Sequence, residues 1–182
     1  MQFARSAPLA TDKTQRPTAQ RDDAPKTWNA LRLNRLLQTF SRKELETLLD
    51  KGQRLRFSPE TIVVHQGRPV EAVLFITQGK AAAVIEVPVS GSSDFGALVH
   101  FLGAGADIGL LSLVDGAPHS ATVTALTDLE MVAIPVQALQ QSLKAHPSRY
   151  RILAQVAVEN LRTYQRAFRH GWERLESRQI LC

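Results

Sequence analysis

Phe101-Leu102-Gly103, then Asp107-Ile108-Gly109-Leu110-Leu111-Ser112-Leu113, then Pro118-His119-Ser120-Ala121-Thr122-Val123 is the stretch on which the reading of this chain turns. An apolar β-type run ends at Gly103, a glycine-bearing turn feeds a short apolar segment, and a proline introduces a further β-rich run. Such a turn has a chemical use. A glycine lets the backbone approach an anion closely, and a short helix starting there aims unpaired N–H groups and its positive dipole end at that anion. Gly109, Leu110, Leu111 and Ser112 are the residues in position to do this.

Outward from that stretch, Arg54 to Pro135 is a series of short β-rich runs: Arg54 to Phe57, Thr61 to His65, Ala72 to Thr77, Lys80 to Val87, Ala97 to Leu102, Ser120 to Ala125 and Leu129 to Ile134. Ser58-Pro59, Gly67, Gln78-Gly79, Ser90 to Ser93 and Gly103 to Gly105 punctuate them. So many short strands hide their edges only by doubling or closing the sheet, which predicts a jelly roll, a double-stranded β-helix. Upstream, Trp28, Leu31, Leu33, Leu36 and Leu37 recur at helical spacing, and Ser41-Arg42-Lys43-Glu44 reads as a capping box that opens a second short helix through Leu45, Leu48 and Leu49. Residues 1–26 mix polar residues and prolines without periodicity and read as a disordered tail.

Downstream of Pro135 the pattern is helical again, first over Val136 to Leu143 and then from Pro147 to about Ser177. In the long segment Ala154, Ala157, Leu161, Tyr164, Phe168, Gly171 and Leu175 alternate spacings of three and four, the seam of a two-stranded coil. A helix of about 30 residues runs roughly 45 Å, longer than a small barrel is wide. A parallel homodimer through this helix is the simplest cover for its far end; the alternative is that only its first half packs, on its own barrel. The organisation expected is a tail over 1–26, a β-roll with flanking short helices over 27–145 and a long helix over 146–182.

The chain of 182 residues is 44% hydrophobic and 21% charged, a globular balance. Its one cysteine, Cys182, excludes an internal disulfide and a four-thiolate metal site built by one chain. No apolar run approaches the roughly 20 residues that span a bilayer, and the N-terminus lacks the apolar core of a secretion signal, so a cytoplasmic protein is expected. The net charge is +5. Arg149, Arg151, Arg162, Arg166, Arg169, Arg174 and Arg178 face only Glu159, Glu173 and Glu176 near the C-terminus. That surplus reads either as a solvated helix face or as a patch for nucleic acid or an acidic partner.

The stretch quoted first resembles the cyclic-nucleotide-binding domain of catabolite-activator-type regulators, kinase regulatory subunits and gated channels. Their phosphate-binding cassette is similar to Phe-Gly-Glu-Leu-Ala-Leu, a short loop, then Pro-Arg-Ser/Ala-Ala-Thr-Val. Phe40-Ser41 with Leu45, Pro59, Gln66-Gly67, Leu74-Phe75-Ile76 and Gly79-Lys80 match the supporting frame, and the resemblance runs from about Phe40 to Phe168. It implies a β-roll followed by a dimerisation helix, and a ligand site at Gly109, Leu110, Leu111, Ser112, His119 and Ser120. Tyr164 and Gln165 match positions where the family's long helix closes over the base. The cassette departs from the family twice: Leu110 stands where a Glu accepts from the ribose hydroxyl, and His119 where an Arg bonds the phosphate. Each such bond contributes about 1.5–3 kcal/mol, so losing both costs about two to four decades of affinity.

Three readings of the cassette stand: a different ligand such as a cyclic dinucleotide or another anion, residual binding of a cyclic mononucleotide, or a degenerate pocket kept as a dimerisation scaffold. No cofactor is assigned beyond such a cyclic nucleotide or cyclic dinucleotide. His119 reads as a polar rim residue, with a pH-sensitive phosphate donor as its alternative role.

A cupin-type metal enzyme would need clustered ligands, but His65, His100, His119, His146 and His170 are isolated. A haem sensor would use one or two of the same histidines. Nucleophile-and-base arrangements and phosphate loops of nucleotide hydrolases are not recognisable, so no enzyme is expected. DNA-binding relatives carry about 70 further residues with a helix-turn-helix, whereas this sequence stops at Cys182. The function expected is therefore a non-enzymatic ligand-sensing module, homodimeric, signalling to an effector protein, without sequence-specific DNA binding or a membrane span. The alternative is a transcription regulator of the catabolite-activator class in a truncated or partner-dependent form.

Overall fold

The computed structural model describes residues 24–88 and 95–179, except for the side chains of residues 24, 87–88, 95–99, 163–164 and 166–179. Most of the expected tail, the Ser90 to Ser93 punctuation and Cys182 lie outside the described residues. Eight strands among them are β1 Gln53–Phe57, β2 Ile62–Val64, β3 Ala72–Gln78, β4 Ala81–Pro88, β5 Phe95–Leu102, β6 Asp107–Ile108, β7 Thr122–Ala125 and β8 Leu129–Pro135. They pair antiparallel into two four-stranded sheets, in the orders β1-β8-β3-β6 and β2-β7-β4-β5. This is the expected jelly roll with flanking helices. Each strand run read from the sequence falls within a residue or two of a strand, and only the two-residue β6 was not anticipated as one.

The helices are α1 Ala24–Leu31, α2 Arg42–Asp50, α3 Ser112–Asp115, α4 Val136–Ala145 and α5 Ser148–Gln179, with a 3-10 turn over Leu37–Thr39. α1 starts inside the segment read as tail, with Pro25 in its first turn where a missing N–H costs nothing. The single helix implied by Trp28 to Leu37 does not form. The chain turns at Arg32-Leu33, leaving Leu33 63% exposed, because Asn34 breaks the run. Its Oδ1 accepts from the Leu36 and Leu37 amides at 3.1 and 3.3 Å, as a helix cap does.

A strand with only one buried face alternates apolar and polar residues, but Ala72–Ile76 of β3 are buried without a break. The reason is a third layer. Ala72, Leu74 and Ile76 join Leu55, Phe57, Leu129, Met131 and Ala133 in the core between the sheets. Val73 and Phe75 turn the other way and join Val132 and Ile134 of β8 beneath Leu31, Leu45, Leu139, Leu153 and Val156 of the helices. Helices, first sheet and second sheet are thus stacked in that order, with one apolar cluster at each junction.

α2 is tied to α5 through one carboxylate. Ser41 caps α2 as the capping box predicts: its backbone N–H and hydroxyl donate to Glu44 Oε2 at 2.8 and 2.7 Å, and its Oγ accepts from the Glu44 amide. Arg149 Nη2 then donates to both Glu44 oxygens at 2.8 Å and to the Thr39 carbonyl at 3.1 Å, while its guanidinium lies 4.0 Å over the Phe40 ring. Arg149 is only 6% exposed, so this member of the arginine surplus belongs to neither a solvated face nor a nucleic-acid patch. The Ser41 hydroxyl first, and then Arg149, hold the Glu44 carboxyl down to about 2 from 4.5. Its folded value lies below its unfolded one, so this stabilisation is present above about pH 4.5 and fades as the pH falls toward about 2. Thermal melts followed by circular dichroism should show Glu44→Gln less stable at neutral pH and less acid-sensitive across that window. A variant whose melting temperature falls with acid as steeply as the wild type would refute the assignment.

Candidate functional site

The cassette is positioned by β6, which pairs with β3 through Leu74↔Ile108 and Phe75↔Asp107. At Gly109 the chain crosses from one apolar junction to the other: Ile108 belongs to the cluster between the sheets, and Leu110 to the cluster beneath the helices. The crossing needs glycine. Its φ is +87°, and an added Cβ would stand 2.8 Å from Val70 Cγ1 and 3.3 Å from His119 Cε1. α3 follows as a single turn, ended by Gly116, and the chain returns through Pro118 to β7. His119 is strapped to the connection between β2 and β3: its N–H donates to the Arg68 carbonyl at 2.9 Å and its carbonyl accepts from the Gly67 amide at 2.8 Å.

These segments enclose a recess of about 120 Å³. Gly109, Leu110, Leu111, Ser112, His119 and Ser120 all line it, so six of the eight candidate residues converge although 11 positions separate Gly109 from Ser120. Gln165 is exposed and is not among the lining residues, and the Tyr164 side chain lies outside the described ones. α5 reaches the recess instead through Asn160, four residues before Tyr164 and on the same helical face. Asp107 and Asp115 also line it. The sequence reading passed over all three polar residues. Helical spacing from Tyr164 was the signal that pointed to Asn160; Asp107 lay unused inside the quoted stretch.

The two departures from the family pattern have different physical outcomes. Leu110 is 1% exposed and packs with the helix-side cluster, so the residue that lines the recess at this point is also part of the apolar core. His119 is 8% exposed, which corrects the expectation of a rim residue. Burial pushes its imidazole below the ordinary histidine value, so the ring is neutral at physiological pH and any phosphate donation through its cation would need acid below the usual range. Asp107 is shifted the other way. Burial raises it to about 6, against the stabilising bond from Asn34 Nδ2 at 3.0 Å. The same Nδ2 also donates to the Gly105 carbonyl at 3.1 Å, so the residue that breaks the first helix also holds Asp107 in the lining of the recess. Among the described residues, no three His, Cys, Asp or Glu side chains gather as a metal site.

A family model for the cyclic nucleotide-binding domain matches residues 54–146, half of the chain, and the chain belongs to that family of regulatory domains. No curated protein sequence matches it. Among solved structures, the N-terminal domain of a transcriptional regulator from Streptomyces coelicolor A3(2) is 26% identical with a TM-score of 0.56, over 76% of this chain and 94% of that one. The Thermus thermophilus catabolite activator protein is 23% identical with a TM-score of 0.59, over 72% of this chain and 60% of that one. The c-di-GMP-responsive global regulator CLP of Xanthomonas campestris is 22% identical with a TM-score of 0.57, over 75% and 65%. The last two share the fold, and the chain spans less than two thirds of their length.

The burial of Leu110 decides what restoring the family's carboxylate does. Leu110→Glu places a charge in an apolar cluster and should destabilise the fold by about 3 kcal/mol or more without improving nucleotide affinity. Calorimetry together with denaturant unfolding reads both quantities. Tighter binding at unchanged stability would show that the side chain can turn into the recess.

Proposed function

We propose that this chain is a non-enzymatic, cytoplasmic sensing module in which a small molecule seated between Gly109 to Ser112, His119, Ser120 and α5 alters the packing or pairing of the long helix. The observation that carries the reading is that the recess is lined both by the cassette and by Asn160 of α5, so one ligand touches the turn and the helix together. Its nucleotide specificity is altered from that of the family, because the cation and the carboxylate that would hold a cyclic nucleotide are replaced by His119 and Leu110. CLP, which shares the fold, is described as responsive to c-di-GMP, which keeps a cyclic dinucleotide among the ligands to be tried beside the cyclic mononucleotides. A thermal-shift screen with both classes and their parent nucleosides tests the reading, since a ligand at 100 times its dissociation constant stabilises by about 2.7 kcal/mol. At least one compound should raise the melting temperature, and Asn160→Leu should abolish that rise. A screen in which none does so sinks the proposal.

α5 supports a second part of this reading, a parallel homodimer. Leu153 and Val156 bury one face of its first half against the body, while Leu161 and Val158 remain 56% and 46% exposed on another. At 32 residues it extends roughly 48 Å, and Leu161 belongs to the alternating seam that continues through Phe168, whose side chain is not described. Leu161→Asp with Phe168→Asp should convert a dimer to a monomer in light scattering. A wild type already monomeric at high micromolar concentration would contradict it. The described helices include none long and apolar enough to cross a membrane. The transcriptional regulators of the same fold favour a role in gene regulation, in which this module acts through an effector or partner that reads DNA.

A further inference from the structure

The recess differs in its electrostatics from a phosphate site. Two carboxylates, Asp107 and Asp115, stand in its wall, and no lysine or arginine is among the described residues that line it. Arg68, which holds the His119 amide through its carbonyl, is not a lining residue. Asp115 is exposed and its Oδ1 accepts from the Ala117 amide at 2.9 Å, leaving the second oxygen for solvent or ligand. α3 is a single turn of 4 residues, too short for its dipole to offset two nearby carboxylates. A phosphate seated here would meet like charge with no counter-ion among the described lining residues.

His119 gives the positive half of the argument. It is more than nine-tenths buried, it lines the recess, and among the described residues its ring nitrogens have no hydrogen-bond partner. A buried polar group is costly when unpaired, and a neutral imidazole offers one donor and one acceptor. In the same lining, the Asp107 carboxylate takes one side-chain bond among the described residues, from Asn34, and accepts readily from hydroxyls. Donor, acceptor and carboxylate together suit a group that both gives and takes hydrogen bonds and carries no charge. The volume of about 120 Å³ equals roughly four water molecules, space for a sugar ring with the rest of a ligand projecting toward α5.

We infer that the recess takes an uncharged hydroxyl-bearing group of pentose size, the sugar of a nucleoside, in preference to a cyclic phosphate. This rests on the reading of the recess as a ligand site. The uncharged and charged forms of one ligand separate the two claims: adenosine and 3′,5′-cyclic AMP, titrated calorimetrically into the full chain at pH 7.5, with c-di-GMP as a third probe. Adenosine should bind at least about tenfold more tightly than cyclic AMP. Asp115→Asn, which removes one of the two lining charges, should raise cyclic AMP affinity several-fold and so narrow the preference for adenosine. His119→Arg should favour cyclic AMP and weaken adenosine, because guanidinium brings a permanent charge and removes the acceptor. Cyclic AMP binding as tightly as adenosine or more so, or unmoved by Asp115→Asn, overturns the charge inference while the sensor reading stands. Binding by none of the three probes overturns the sugar inference, and the sensor reading falls with it if the wider thermal-shift screen is also negative.

Discussion

The two-faced burial of β3 and β8 is the constraint on which the rest of the molecule depends. Each strand sends alternate side chains into different apolar clusters, so the sheet they share is covered on both sides and the helices become a structural layer. Without Leu31, Leu45, Leu139 and Leu153 above them, Val73, Phe75, Val132 and Ile134 would lie open to water, at about 1.5–3 kcal/mol for each side chain. The helices therefore follow from the composition of the strands, and a slip of one residue in β3 would exchange its two apolar sets.

Two polar residues fix how the helical layer is seated. Arg149 joins the start of α5 to the capping box of α2 through Glu44, and Asn34 joins the break after α1 to the lining of the recess through Asp107. Both ties are charge-assisted or largely buried, where hydrogen bonds are stronger and unpaired groups costlier than in water. An exposed ion pair, Arg35 to Glu159, also links the segment after α1 to α5 one residue before Asn160, and being open to water it contributes little. The long helix is thus held near its origin by Arg149 and lines the recess further along through Asn160.

At the site itself the decisive geometry is the crossing at Gly109. One residue separates Ile108 in the inter-sheet core from Leu110 in the helix-side core, so the turn that lines the recess is anchored at both ends by burial. Replacing the family's carboxylate at this point therefore changes the core as well as the ligand contacts. The change at His119 acts locally: a side chain that is cationic in the family is here a buried, neutral one, and the carboxylates nearby face no counter-charge among the lining residues.

Much of this was legible in the order of residues. Short β-rich runs with glycine and proline punctuation determined a jelly roll, because strand period and turn chemistry are local properties. Ser41 and Glu44 determined a helix start for the same reason, since a capping box closes within one turn. The stretch from Phe101 to Val123 determined which segments meet at the site. Tertiary structure alone decided the side on which each residue falls. Nothing local tells that Leu110 packs under helices contributed by both ends of the chain, that Arg149 spends its charge on a carboxylate 105 residues away, or that His119 is enclosed. Burial and pairing depend on what distant segments bring to a residue, and the pattern of its neighbours in sequence does not carry that information.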